Sequence, residues 1–110
     1  MGNVERIELA PGLEISRVLT GLWQIADMER DGGVVDTEAA AAAMGRYVDA
    51  GLTTFDMADH YGSSEVIAGQ FSVRAPGKAQ FLTKWVPKPG SHSAGDVRAA
   101  VETARTRMQA

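Results

Sequence analysis

The order of apolar and polar positions divides the chain into a short hairpin followed by three strand-and-helix repeats. Arg6 to Leu9 and Leu13 to Ser16 flank Ala10-Pro11-Gly12-Leu13. Proline there presets the first central turn position and glycine tolerates a positive φ at the second, so the pattern predicts a type II turn closing a small hairpin. Val18 to Leu22 is a largely apolar run too short for a helix and reads as a first buried strand, ending in Trp23-Gln24. Met28 to Asp36 is rich in charge and holds Gly32-Gly33, which predicts a solvated loop delivering the chain to a helix.

That helix has the clearest local signals. Asp36 or Thr37 can cap its start, Ala39 to Ala43 favour helix, and Ala40, Met44, Tyr47 and Val48 make one apolar stripe. Gly51 stands just past the end, where a left-handed cap belongs. Thr53 to Asp56, β-branched and aromatic, reads as a second strand. Ser63 to Phe71 predicts a shorter helix, capped by serine and broken by Ala75-Pro76-Gly77. Gln80 to Lys84 predicts a third strand before the loop that Pro87, Pro89 and Gly90 enforce. In the last segment Val97, Val101, Ala104 and Met108 recur at helical spacing, with Arg98 and Glu102 placed to pair on the outer face.

A hairpin and three strand-helix repeats call for an α/β fold with parallel strands joined by right-handed crossovers. Two architectures satisfy the pattern: a small doubly wound domain and the opening of a (β/α)8 barrel. Nothing in 110 residues demands a second domain. At 45% apolar and 23% charged the chain is neither disordered nor fibrous in composition. Its net charge of -3 gives no basic field for a phosphate backbone, so no nucleic-acid partner is expected.

The chain has no cysteine, which removes disulfides and thiolate metal sites and fits a cytoplasmic setting. His60 and His92 lack partners at ligand spacing, so no metal is expected. The longest apolar run, Ala39 to Met44, is far below the roughly 20 residues a membrane span requires. The N-terminus shows no secretion signal, and Arg6 stands where a myristoylation signal wants Ser or Thr.

In α/β folds of this kind, functional side chains gather where strands end and the following loops begin. The first strand ends in Gly21-Leu22-Trp23-Gln24, the second runs into Asp56-Met57-Ala58-Asp59-His60-Tyr61-Gly62, and the third ends in Thr83-Lys84-Trp85. A carboxylate, a phenol and an amine therefore converge on one rim. Taken singly, each has a plainer reading: Asp56 as a loop cap, Tyr61 as a half-buried loop aromatic, Lys84 as a surface charge. His60 reads as a loop histidine facing solvent or the mouth of a site. Trp23 and Trp85 could equally close the top edge of the sheet.

The whole segment from Gly51 to Glu65 resembles the aldo-keto reductase signature G-x-x-x-x-D-x-A-x-x-Y-G-x-S-E and matches every fixed position. The hairpin, the Gly-x-Trp end of the first strand and the Thr-Lys-Trp end of the third resemble that family in the same order. The resemblance implies an NADPH-dependent, carbonyl-reducing (β/α)8 barrel. Such a barrel takes about 250 residues. Residues 1–110 are therefore expected to form the N-terminal part of the oxidoreductase domain, a fragment-like opening that stops before a fourth strand.

By the same resemblance, Tyr61 is the general acid that protonates the carbonyl oxygen, Lys84 activates it, and Asp56 holds Lys84. Trp23 and Asp56 are implied contacts near the nicotinamide of NADP(H). The chemistry is sound, because an ammonium about 4 Å from a developing phenolate stabilises it by on the order of 4 kcal/mol at an effective dielectric of 20. The family's remaining tetrad member is a His at the end of strand four, and neither His60 nor His92 stands at the matching place. The implied substrate is a small aldehyde or ketone. A non-catalytic remnant or binding subunit of the same ancestry is the alternative. A flavodoxin-like domain ranks below both, because Gly21-Leu22-Trp23-Gln24 offers no phosphate loop. Three strands leave an open sheet edge, through which self-association is expected.

Overall fold

Pro11 and Gly12 turn the chain back on itself. In the computed structural model, which describes residues 4–22 and 36–110, Gly12 has a φ of 80°, as the second central position of a type II turn requires. It joins β1 (Arg6–Ala10) to β2 (Leu13–Ser16) in an antiparallel hairpin. The register shifts between Glu8 and Ala10, a β-bulge that leaves Leu9 out of the pairing. All of β1 is exposed, and only Ile15 and Ser16 of β2 are buried.

A second, parallel sheet follows in the order β3 (Thr20–Gly21), β4 (Thr54–Asp56), β5 (Gln80–Leu82). The sequential order excludes the flavodoxin-like arrangement, which would put the first strand between the other two. Each strand is shorter than its apolar pattern. Val18 and Leu19, expected within the first strand, are exposed. At the other end the ladder outlasts the regular strands: Met57 N–H donates to Leu82 O and Asp59 N–H to Lys84 O, both at 2.9 Å.

Among the described residues, three helices lie behind this sheet: α1 (Thr37–Asp49), α2 (Ser64–Arg74) and α3 (Ala94–Met108). Asp36 caps α1 by accepting from Ala39 N–H at 3.1 Å. Gly51 follows with a φ of 92°, in the left-handed region where glycine carries no penalty. Ser63 takes the N-cap position of α2, although its hydroxyl does not bond the first turn. α2 continues past Phe71 to Arg74. α3 starts with a reciprocal capping box: Asp96 N–H donates to Ser93 Oγ at 3.1 Å, and Ser93 N–H to Asp96 Oδ2 at 2.9 Å.

The pleat sends successive side chains to opposite faces. Phe55 turns to the helices and sits at the centre of the core, with Leu22, Met44, Met57, Ile67 and Phe71 around it. Its ring centroid is 6.5 Å from those of Tyr47 and Phe71 and 6.2 Å from that of Phe81. α3 covers this core only through its C-terminal turns. Met108 packs on the cluster, whereas Val97 and Val101 are 46% and 51% exposed, so the expected stripe is only partly covered, at Ala104 and Met108. Glu102 pairs with Arg105 at 2.9 Å in place of the expected Arg98. The approach of α3 to α2 needs Gly69, where an added Cβ would lie 2.3 Å from the carbonyl oxygen of Arg107.

The hairpin docks on the N-terminal end of the parallel sheet through buried polar groups. Ser16 N–H donates to Thr54 Oγ1 at 2.9 Å and Thr54 N–H to Ser16 Oγ at 3.2 Å. The hydroxyls of Thr53 and Thr54 both donate to Gln80 Oε1, at 2.8 and 3.0 Å. Arg6 Nη1 donates to Thr53 Oγ1 at 2.8 Å, tying β1 to the same cluster.

Candidate active site

Thr54 and Asp56 alternate with Phe55 and so point away from the helices. Asp56 pairs in register with Leu82, which puts Lys84, two residues further along, on the same face. Tyr61 arrives on the loop between β4 and α2, its side chain packed against the core cluster. Lys84 Nζ donates to Asp56 Oδ1 and Oδ2 at 2.8 and 2.9 Å. The same ammonium lies 5.1 Å from the Tyr61 ring centroid, within cation–π range. The carboxylate, amine and phenol picked out in the sequence thus meet at one rim.

The side chains of Asp56 and Lys84 are 36% and 45% exposed, so water screens their attraction. Partial burial pulls the Lys84 pKa down, but the hydrogen bond and charge of Asp56 outweigh it, with smaller contributions of the same sign from the Tyr61 phenol. The net displacement is upward from 10.5, and Lys84 carries a full charge at neutral pH.

Gly21 stands in register with Asp56 on β3 and presents no side chain beside it. His60 sits at the rim, half-exposed, its ring edge-on to Tyr61 with centroids 4.8 Å apart and its Nδ1 3.2 Å from Asp59 Oδ1. Trp23, and all but Asp36 of the loop expected over Met28 to Asp36, lie outside the described residues.

Behind the rim is a cluster that the sequence reading missed. Glu65, in the first turn of α2, is buried, and it accepts from Thr83 Oγ1 at 2.7 Å and from Arg107 Nη1 at 3.0 Å. Its fixed place in the signature could have flagged it. Arg107 carries no local signal, because its partner lies 42 positions away. A cavity of about 390 Å³ between the end of β5 and α3 is lined by Thr83, Lys84, Trp85, Val101, Ala104 and Arg107, among others. Neither Asp56 nor Tyr61 borders it, so it adjoins the rim from the helix side. Among the described residues, no three His, Asp or Glu side chains gather as a metal site, and no helix is long and apolar enough to cross a membrane.

Parallel strands in sequential order, with charged and phenolic groups at their C-terminal ends, match the opening of the β/α barrels that work from that rim. Among these barrels, the chain belongs to the aldo/keto reductase family, whose model matches residues 17–110. It is 34% identical over 106 residues to the 6-dehydroglucose reductase of Agrobacterium fabrum, covering 86% of this chain and 33% of that protein. Two solved structures described as aldo-keto reductases of Pseudomonas aeruginosa superpose with a TM-score of 0.73 each, at 22% and 24% identity. Each likeness covers 94% of this chain, and respectively 43% and 42% of the solved chain. These likenesses establish the fold as part of a (β/α)8 barrel. The chain spans 33% of the length of the curated relative it matches.

Proposed function

We propose that this chain supplies the N-terminal part of an aldo-keto reductase barrel domain, one that reduces a small aldehyde or ketone with NADPH. The observation that carries the reading is the meeting of Lys84 with both oxygens of Asp56 beneath the ring of Tyr61. In this reading Tyr61 donates its phenolic proton to the carbonyl oxygen as negative charge builds there. Lys84 stabilises the phenolate left behind, and Asp56 keeps Lys84 charged and aimed.

In this reading the rim receives the nicotinamide end of the cofactor, which is supported by the lack of a side chain on Gly21 beside Asp56 and by a carboxylate able to accept an amide N–H. Asp56 and Trp23 are the residues that would hold that end. NADPH, when bound, supplies the hydride. The name of the Agrobacterium relative points to an oxidised sugar, which lies within the carbonyl class. Absence of cysteine supports a cytoplasmic setting, and the outer edges of β3 and β5 are where self-association would occur.

The test is NADPH oxidation in the presence of an aldehyde, followed with Tyr61→Phe and Lys84→Met. Turnover is expected to fall by about 10²- to 10⁴-fold in each variant, with circular dichroism unchanged. Undiminished turnover in Tyr61→Phe overturns the reading.

A further inference from the structure

Asp56 ends β4 and is paired on both sides, whereas Lys84 and Tyr61 stand beyond the regular strands. There the β4–β5 ladder continues only through the bonds Met57 N–H to Leu82 O and Asp59 N–H to Lys84 O. A second support for this stretch lies on the helix side. Glu65 is 2% exposed and has both carboxylate oxygens engaged, one by Thr83 Oγ1 and the other by Arg107 Nη1. The same arginine nitrogen is 3.4 Å from the backbone oxygen of Asp59. Asp59 in turn grips the end of β5, donating its N–H to Lys84 O at 2.9 Å and accepting Val86 N–H on Oδ2 at 3.2 Å.

Thr83 is the neighbour of Lys84, and adjacent residues in extended chain face opposite ways. Bonding Thr83 to a helix behind the sheet therefore aims Lys84 at the front. Arg107 secures the other side of the joint by holding the Asp59 backbone, on the same loop as Tyr61. Gly69, one turn along α2 from Glu65, is what lets the last turn of α3 bring Arg107 within reach. A carboxylate this deeply buried is tolerable only while its partners are present.

We infer that Glu65 and Arg107 are positioning residues, which brace Thr83 and Asp59 from behind and so hold Lys84 against Asp56 and Tyr61. The inference rests on the proton-donating role proposed above for that rim. It also separates from it experimentally, because Lys84 can be read directly. The lysines are Lys78, Lys84 and Lys88, so ¹³C,¹⁵N-lysine labelling gives a small set of side-chain NMR signals whose titration is followed in the full chain. Asp56→Asn serves as the reference for loss of the pair.

Thr83→Val and Arg107→Leu should each move the Lys84 midpoint downward, toward that of Asp56→Asn, and Arg107→Lys should recover part of the difference. If Arg107→Leu fails to fold, Thr83→Val decides, since it removes one hydroxyl and keeps the shape. A Lys84 midpoint unchanged in Thr83→Val and Arg107→Leu, with only thermal stability reduced, makes the cluster merely structural and overturns the inference while the rim reading stands. A midpoint unmoved even in Asp56→Asn means that there is no pair to position, and both readings fall.

Discussion

Thr54 and Asp56 lie two residues apart on the same face of the same strand, and their surroundings are opposite in kind. Thr54 is fully buried and saturated, held between the hairpin residue Ser16 and the Gln80 side chain. Asp56 is about one-third exposed, and the ammonium it holds is nearer half-exposed. One end of the sheet is closed by mutual hydrogen bonds that leave nothing to offer a ligand. At the other, charged groups are held in place yet keep contact with solvent. A step of about 6.6 Å along a strand is enough to pass from one regime to the other, because the hairpin covers only the first.

The most severe way to break this comparison is to remove the floor that both ends share. Phe55→Ala is expected to destabilise the chain by about 3–5 kcal/mol, measured by urea unfolding, and to loosen hairpin and rim together. A loss below about 1 kcal/mol, far under that range, would show that Phe55 is not central.

Thr54→Val should cost less, about 1–3 kcal/mol, because it strands the buried Ser16 N–H and removes a partner of Gln80. The Lys84 NMR signals should stay in place. If they move, the two ends of the sheet are coupled and do not respond independently.

Asp56→Asn should do the reverse, changing stability at neutral pH by no more than about 1 kcal/mol, as for a solvent-screened pair, while moving the Lys84 NMR signals. A larger loss would place Asp56 with Thr54 among the residues that hold the fold.

The smallest expected effect is in pH. The folded pKa of Lys84 lies above its ordinary 10.5, so its pairing stabilises fully below that value and is lost as pH rises through the folded pKa. Unfolding curves of the wild type and Asp56→Asn should therefore converge at the alkaline end. A gap that stays constant through this range would remove Lys84 from the explanation.

Much of this was legible in the sequence, and what escaped it shares a cause. The turn at Pro11-Gly12, the Asp36 cap and Gly51 were readable because each depends on local backbone geometry. Asp56, Tyr61 and Lys84 were readable because strand ends of a parallel sheet fall on one rim, the signature fixing the spacing of Asp56 and Tyr61 and the Thr-Lys-Trp strand end supplying Lys84. Strand lengths were not. Val18 and Leu19 are apolar enough for a strand, but pairing is decided by a neighbour distant in sequence, and theirs begins only at Thr20. The exposure of Val97 and Val101 escaped for the same reason, since periodicity shows that a helix has an apolar side and not how much of it is covered. Neither the Ser16–Thr54 exchange nor the Glu65–Arg107 pair has a local precursor, because each forms only when segments 38 and 42 positions apart are brought together.

At Gly69 the spacing of two helices is set by main chain touching main chain, with no side chain free to rearrange in between. Such a contact has no give. Any residue larger than glycine must push the last turn of α3 outward as a body, and the guanidinium it carries would withdraw from Glu65 by a similar distance. A hydrogen atom on the far side of the sheet from Asp56 thereby acts as a gauge block for the lysine end of the rim.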